Sequence, residues 1–277
     1  MTRVTTPDGI GLEVHASGRG DGRAALLLHG LTGNSGVWSA AGPALAPRFR
    51  VLALDQRGHG ASEASTDPED HTLDVLARDV FTVLDHFDAE QATLVGHGMG
   101  ATVAMLAALD RPDRVEALVL VGASAEPLDP ASGWMVTRDR AVEAVERAGM
   151  EAGWDAYLES GIFGWDVEEM PSEIVEDWRA QFVRTAPAAF VGLARHLASL
   201  PDLTPRLAGL QVPTLVVCGD DDQAYAPYQE ALVAAIAGAE LVWIEGGGHT
   251  PQLARGEEFG AEVFAFLRRA LPTAPSR

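Results

Sequence analysis

Lysine is missing from this 277-residue chain: all 20 basic side chains are arginine, set against 40 carboxylates, for a formal net charge of −20. So acidic a chain offers no clustered basic surface for phosphate backbones, which excludes general nucleic-acid binding. Cysteine is nearly missing too. Cys218 stands alone, cannot form an internal disulfide and demands no oxidising compartment. No apolar run is long enough to span a bilayer, and Met1 to Gly9 lack the apolar centre of a secretory signal. The expectation is a soluble cytoplasmic protein with no membrane partner. Also absent are a G-x-G-x-x-G dinucleotide fingerprint, a P-loop and any His, Cys and carboxylate set at metal-ligand spacing, so no cofactor and no metal is expected.

What is present is enough apolar material, 47% of residues, for one large core. Short apolar runs recur at Ala25–Leu28, Val51–Leu54, Thr93–Val95, Ala117–Val121, Thr214–Val217 and Leu241–Ile244. Near-continuous apolarity of this kind marks strands buried on both faces of a parallel sheet. Amphipathic stretches between them, Thr72 to Phe87 and Met99 to Leu109, suit crossover helices. The fold class is therefore α/β, a mostly parallel sheet with helices on both faces. Between residues 126 and 200 the alternation stops, and Trp134, Trp154, Tyr157, Phe163, Trp165, Trp178 and Phe182 succeed one another at roughly helical spacing. This segment reads as an inserted helical cap, with residues 1–125 and 201–277 forming the core. Such a stripe is more often core than ligand site, yet a cap has an underside, and open α/β sheets bind ligands at their strand ends.

The most informative stretch is Val95-Gly96-His97-Gly98-Met99-Gly100-Ala101. An apolar strand, a glycine turn and a helix start make up the G-x-S-x-G nucleophile elbow, in which a serine hydroxyl is exposed above the sheet. Gly98 stands where that serine is required. Other pieces of acyl-transfer machinery lie just after neighbouring strands. After the first long run comes His29-Gly30-Leu31, placing the Leu31 N–H beside the elbow as one oxyanion donor, with the Met99 N–H as the other. After a later strand comes Gly219-Asp220-Asp221-Asp222. Asp222 best fits the acid of a triad, with Asp220 and Asp221 solvated or capping. After the last strand comes Gly246-Gly247-Gly248-His249, and the order elbow, acid, histidine matches one triad class. His97 and His59 read as packing and loop-bracing residues, and neither Cys218 nor Ser35 is placed to replace the nucleophile.

These landmarks, together with Asp55-Gln56-Arg57-Gly58-His59-Gly60, resemble the α/β-hydrolase fold superfamily in its capped bacterial branch, with enol-lactonases, perhydrolases and esterases as the nearest likeness. The resemblance covers residues 12 to 271 and implies His249 as general base, Asp222 as its orienting carboxylate, and Leu31 and Met99 as oxyanion donors. Substrate contacts are expected from His29, Gly30, Trp134, Trp154, Tyr157, Phe163 and Trp165, and the implied substrate is a small hydrophobic ester or lactone. The nucleophile does not carry over. Three readings stay open: a serine hydrolase that has lost its nucleophile, a natural enzyme in which His249 and Asp222 act directly on water or substrate, and a ligand-binding protein that retains the pair as a relic.

Overall fold

The computed structural model describes residues 1–19, 22–159 and 172–271. Its sheet has eight strands: β1 (Thr2–Thr5), β2 (Gly11–Gly18), β3 (Arg23–Leu28), β4 (Phe49–Asp55), β5 (Ala92–His97), β6 (Val115–Val121), β7 (Thr214–Gly219) and β8 (Glu240–Ile244). They lie in the order β1-β2-β4-β3-β5-β6-β7-β8. From β3 to β8 the pairing is parallel, while β1 with β2 and β2 with β4 are antiparallel. All six apolar runs became strands. The antiparallel pair was not legible in the sequence because the distal half of β2 is exposed and carries no continuous apolar run.

Side chains alternate across this sheet, and the core divides accordingly. Leu26, Leu28, Leu94, Leu118 and Leu120 pack on one face; Leu27, Val95, Val119, Leu215 and Val217 pack on the other. The first layer is built on helix Leu73–His86, whose Thr72 side chain caps it by accepting from the Val75 N–H at 3.3 Å, and on helix Met99–Asp110, buried from Met99 to Ala108. The second is closed by helix Gly256–Ala270 through Phe259, Val263 and Phe266. Parallel register sets Leu28 beside Gly96, His97 beside Val121 and Gly219 beside Ile244. The loops that leave β3, β5, β7 and β8 therefore emerge along one edge.

Between β6 and β7 the described residues form helices Gly133–Ala148, Met150–Leu158, Ser172–Arg184 and Pro187–Ala198, then the single turn Thr204–Leu207. Phe182 is the hub of this insert, with the rings of Trp154, Tyr157 and Phe190 centred 5.7, 5.4 and 5.2 Å away. Part of the aromatic stripe is thus core. The insert is tied to the sheet by the Ala186 N–H donating to Gly58 O at 2.8 Å and the Leu203 N–H to Ala125 O at 2.8 Å. No helix among the described residues is long and apolar enough to cross a membrane.

The turn that receives Ala186 is anchored by a buried ion pair. Arg57, 2% exposed, donates to Asp79 Oδ2 and Oδ1 at 2.9 Å each and to Asp8 at 2.5 and 3.0 Å. Burial pushes the Asp79 carboxyl up, and the guanidinium opposes it. Replacing Arg57 with methionine leaves that carboxylate unpaired in the interior. Urea denaturation of Arg57→Met is expected to show a loss of ~3 kcal/mol, the scale of a broken buried pair; a loss below ~1 kcal/mol would mean that the pair does not anchor the turn.

Candidate active site

Four strand-end loops converge on Gly98. β5 ends at His97 and the next helix starts at Met99, so residue 98 alone makes the reversal, at φ 52° and ψ −115°. L side chains rarely adopt this conformation, and glycine occupies it without Cβ strain. Gly96 and Gly100 let the strand and helix close up: a Cβ on Gly100 would lie 2.2 Å from Leu28 O, and one on Gly96 would lie 2.3 Å from Gly100 O. The Met99 N–H stands in the first turn of its helix, where no intrahelical acceptor exists, and Met99 lines the cavity.

The Leu31 peptide, the other expected oxyanion donor, is held from behind. Gln56 donates its N–H to His29 Nε2 at 3.0 Å, so the ring proton is on Nδ1, which donates to Gly30 O at 2.7 Å. Gly33 N–H also donates to that oxygen, at 3.1 Å. In a planar trans peptide N–H and C=O point opposite ways, so fixing Gly30 O also fixes the direction of the Leu31 N–H, and Leu31 lines the cavity. His59 steadies the next peptide, its Nε2 2.5 Å from Leu31 O. Sequence reasoning put His29 in contact with substrate. The structure corrects this: His29 is wholly buried, does not line the cavity, and acts through Gly30.

The three consecutive acids divide their work. Asp220 Oδ1 accepts from the Gly246 N–H at 2.9 Å and Asp221 Oδ1 from the Gly248 N–H at 2.6 Å, which fixes the glycine loop. Asp222 Oδ2 then meets His249 Nδ1 at 2.9 Å. Asp222 is buried, which alone would raise its pKa, but the His249 ring and the Tyr225 and Ala224 N–H groups bring it below the ordinary carboxylate value. An ionised carboxylate only accepts, so the proton of neutral His249 is on Nδ1 and Nε2 carries the lone pair. Nε2 lies 3.6 Å from where a Cβ on Gly98 would be. Cys218, buried beside Asp222 with Sγ to Oδ2 at 3.8 Å, has its thiol pushed up by burial and by that carboxylate, which keeps it from acting as a thiolate.

Gly30, Leu31, Gly98, Met99, Trp134, Trp154, Tyr157 and His249 together line a cavity of about 110 Å³. Phe163 and Trp165 lie outside the described residues. Tyr225 and Trp178 also line it and were not anticipated as site residues. Tyr225 is the more consequential, stacking on the His249 ring at 4.8 Å and 16°. Its position three residues after Asp222 was the available signal. His97 is fixed as a bracket. Its Nε2 is 2.9 Å from the His249 carbonyl, which can only accept, so the ring donates there and holds the His249 backbone. Among the described residues no group of three His, Cys, Asp or Glu side chains is arranged to hold a metal.

The alpha/beta hydrolase fold model matches residues 25–255. The chain belongs to the α/β-hydrolase family. A Rhizobium rhizogenes protein provisionally named carbamate hydrolase RutD is 32% identical over 92% of this chain and 97% of its own length. A Bacillus subtilis relative, provisionally named 2-succinyl-6-hydroxy-2,4-cyclohexadiene-1-carboxylate synthase, is 26% identical over 95% and 97%. Among solved structures, the enol-lactonase from Burkholderia xenovorans superposes with a TM-score of 0.84 at 29% identity, covering 96% of this chain and 99% of that one. By this kinship the chain is an enzyme of the α/β-hydrolase class, and the loops around Gly98 are where members of this fold are expected to carry their chemistry.

The bracket has a measurable consequence. Burial and the neighbouring His249 lower the His97 pKa to about 3, against an ordinary 6.5. Between those values the unfolded chain holds a proton at this position and the folded chain does not, so stability falls as pH drops through that window. His97→Gln removes the group, and the slope of unfolding free energy against pH, from urea denaturation, is expected to flatten by ~1.4 kcal/mol per pH unit. An unchanged slope would mean that His97 titrates normally in the fold.

Proposed function

We propose that this chain hydrolyses a small, largely apolar ester or carbamate without a covalent intermediate, with His249 as general base toward water and Asp222 as the carboxylate that orients it. One observation carries the reading: His249 Nε2 is aimed at a residue with no side chain, 3.6 Å from the position a Cβ would take, while the dyad is intact at 2.9 Å. That space admits a water molecule where the elbow nucleophile would stand. The provisional carbamate hydrolase name of the Rhizobium rhizogenes relative supports carbamates as one substrate class, and the aromatic walls support apolar substituents.

In this reading His249 Nε2 removes a proton from water as its oxygen attacks the carbonyl carbon. The negative charge that develops on the carbonyl oxygen is met by the Leu31 and Met99 N–H groups. Imidazolium forms beside the Asp222 carboxylate, then returns its proton to the leaving oxygen as the tetrahedral centre collapses to acid and alcohol. General-base catalysis of this kind contributes about 10²–10⁴-fold. Gly98 also fits a serine hydrolase that has lost its nucleophile, and the two readings differ in what restoring serine does.

Turnover of aryl esters and aryl carbamates by the unmodified protein, His249→Ala, Asp222→Asn and Gly98→Ser separates them. The expected result is turnover by the unmodified protein that His249→Ala lowers by about 10²-fold or more, with Asp222→Asn also impaired. If only Gly98→Ser shows turnover, the lost-nucleophile reading replaces this one.

A further inference from the structure

A second, smaller cavity adjoins the first, and its chemistry differs. Its volume is about 50 Å³, well above the ~10–15 Å³ that one water needs. Trp134, Leu197 and Tyr225 line both cavities, so the two share a wall, and the Trp134 and Tyr225 rings of that wall also lie beside His249. Behind that wall, helix Gly133–Ala148 presents Arg138. An arginine in an amphipathic helix is usually a solvated residue, with its charged end carried out to water. Arg138 is not: its side chain is 5% exposed.

The contacts of this guanidinium are lopsided. Nε and Nη2 donate to one oxygen, Asp139 Oδ1, at 3.0 and 2.5 Å, and that carboxylate is 64% exposed on the helix surface. Among the described residues Nη1 meets only Met135 Sδ, at 3.0 Å, a weak acceptor for a cationic donor. A guanidinium has five N–H donors in a planar fork, so Arg138, which lines this cavity, retains donor capacity that no oxygen of the described residues satisfies. The positive charge reaches the shared wall, where Arg138 favours the ionised form of the Tyr225 phenol against the burial that pushes its pKa up. Glu126, the acidic residue on the same lining, stands at an exposed position. In a chain of net charge −20 the overall field favours no anion, so any attraction for one at this cavity is local to Arg138.

We infer that the cavity beside Arg138 is a subsite for a carboxylate carried by the substrate, so that the ester or carbamate is an acidic one, with its reacting carbonyl at Gly98 and its anionic end past Trp134 and Tyr225. The inference rests on the hydrolase reading for what occupies the first cavity, and it adds the charge of the substrate. Arg138 here is a binding residue. It selects among esters and takes no part in the bond-breaking step.

Binding without turnover tests it. Isothermal titration calorimetry at neutral pH, carried out on His249→Ala protein so that neither ester is consumed and with Arg138 either intact or substituted, compares monomethyl glutarate, which carries one free carboxylate, with dimethyl glutarate, which carries none. The protein with Arg138 intact is expected to bind the monoester at least about tenfold more tightly, as a charge-assisted contact to arginine requires, and Arg138→Gln is expected to bind the two alike. Should Arg138→Gln fail to unfold cooperatively, the double variant Arg138→Met with Asp139→Asn, which removes both charges of the pair, takes its place. Equal affinities or no binding of either ester by the protein with Arg138 intact would overturn the subsite. So would a preference for the monoester that survives in a folded variant lacking Arg138. Because no turnover is read, a preference for the monoester in a protein whose unmodified form hydrolyses nothing would contradict the hydrolase reading alone.

Discussion

At residue 98 the chain must pass from strand to helix in one residue, at a backbone conformation that costs an ordinary side chain about 1–3 kcal/mol. The arrangement of this edge derives from that reversal. It sets the Met99 N–H at a free helix start beside the cavity, seats a ten-residue buried stretch of helix against the sheet, and brings that helix so close to β5 and β3 that only glycine fits at positions 96 and 100. An elbow with serine bears the strain to expose a nucleophile. With glycine the strain is relieved and the geometry is retained, so the surrounding donors and the His249–Asp222 pair keep their alignment on a point that holds no protein atom. In the proposed reading the chain retains the electrostatic half of acyl-transfer machinery, and such a remainder can still accelerate hydrolysis by about 10³–10⁴-fold over water.

The histidines near the site are distinguished by their partners more than by their positions. His29 and His97 are buried and held neutral, each with its pKa lowered to about 3, and each donates to a backbone carbonyl that shapes the site: Gly30 for the one, His249 for the other. His59 is likewise buried and lowered, and faces Leu31 O. His249 differs in having a carboxylate on Nδ1, an aromatic ring stacked on one face and a third of its side chain open to the cavity. Of these four rings, His249 alone combines a carboxylate partner with an opening to the cavity. At the others the burial that fixes the loops also prevents them from charging. The same separation holds among the acids, where Asp220 and Asp221 fix the loop that Asp222 needs in place.

Much of this was legible in the residues. Five buried strands announce themselves because parallel strands are apolar on both faces; the sixth run became the edge strand β8, apolar but largely uncovered with only Ile244 buried. Gly96, Gly100, Asp222 and His249 were each marked by their place at or just past a strand end. The antiparallel pair β1 and β2 was not, since half-exposed strands lack that run. His29 was expected among the substrate contacts together with Gly30, but its ring is wholly buried between Gly30 O and the Gln56 N–H, away from the cavity. Tyr225 and Arg138 were missed for a common reason. Helical or loop periodicity shows which face is polar, whereas the burial of one charged or phenolic group within that face depends on how the insert docks on the strand ends.

Direct attack by water requires that acyl transfer proceed without an acyl-protein. Intact-protein mass spectrometry of the Gly98 protein, quenched at intervals while it turns over a 4-nitrophenyl carbamate, tests this requirement most directly. An unmodified protein mass is expected at every time while 4-nitrophenol accumulates. A carbamoyl adduct that forms and decays with turnover would contradict direct attack, and so would the absence of product.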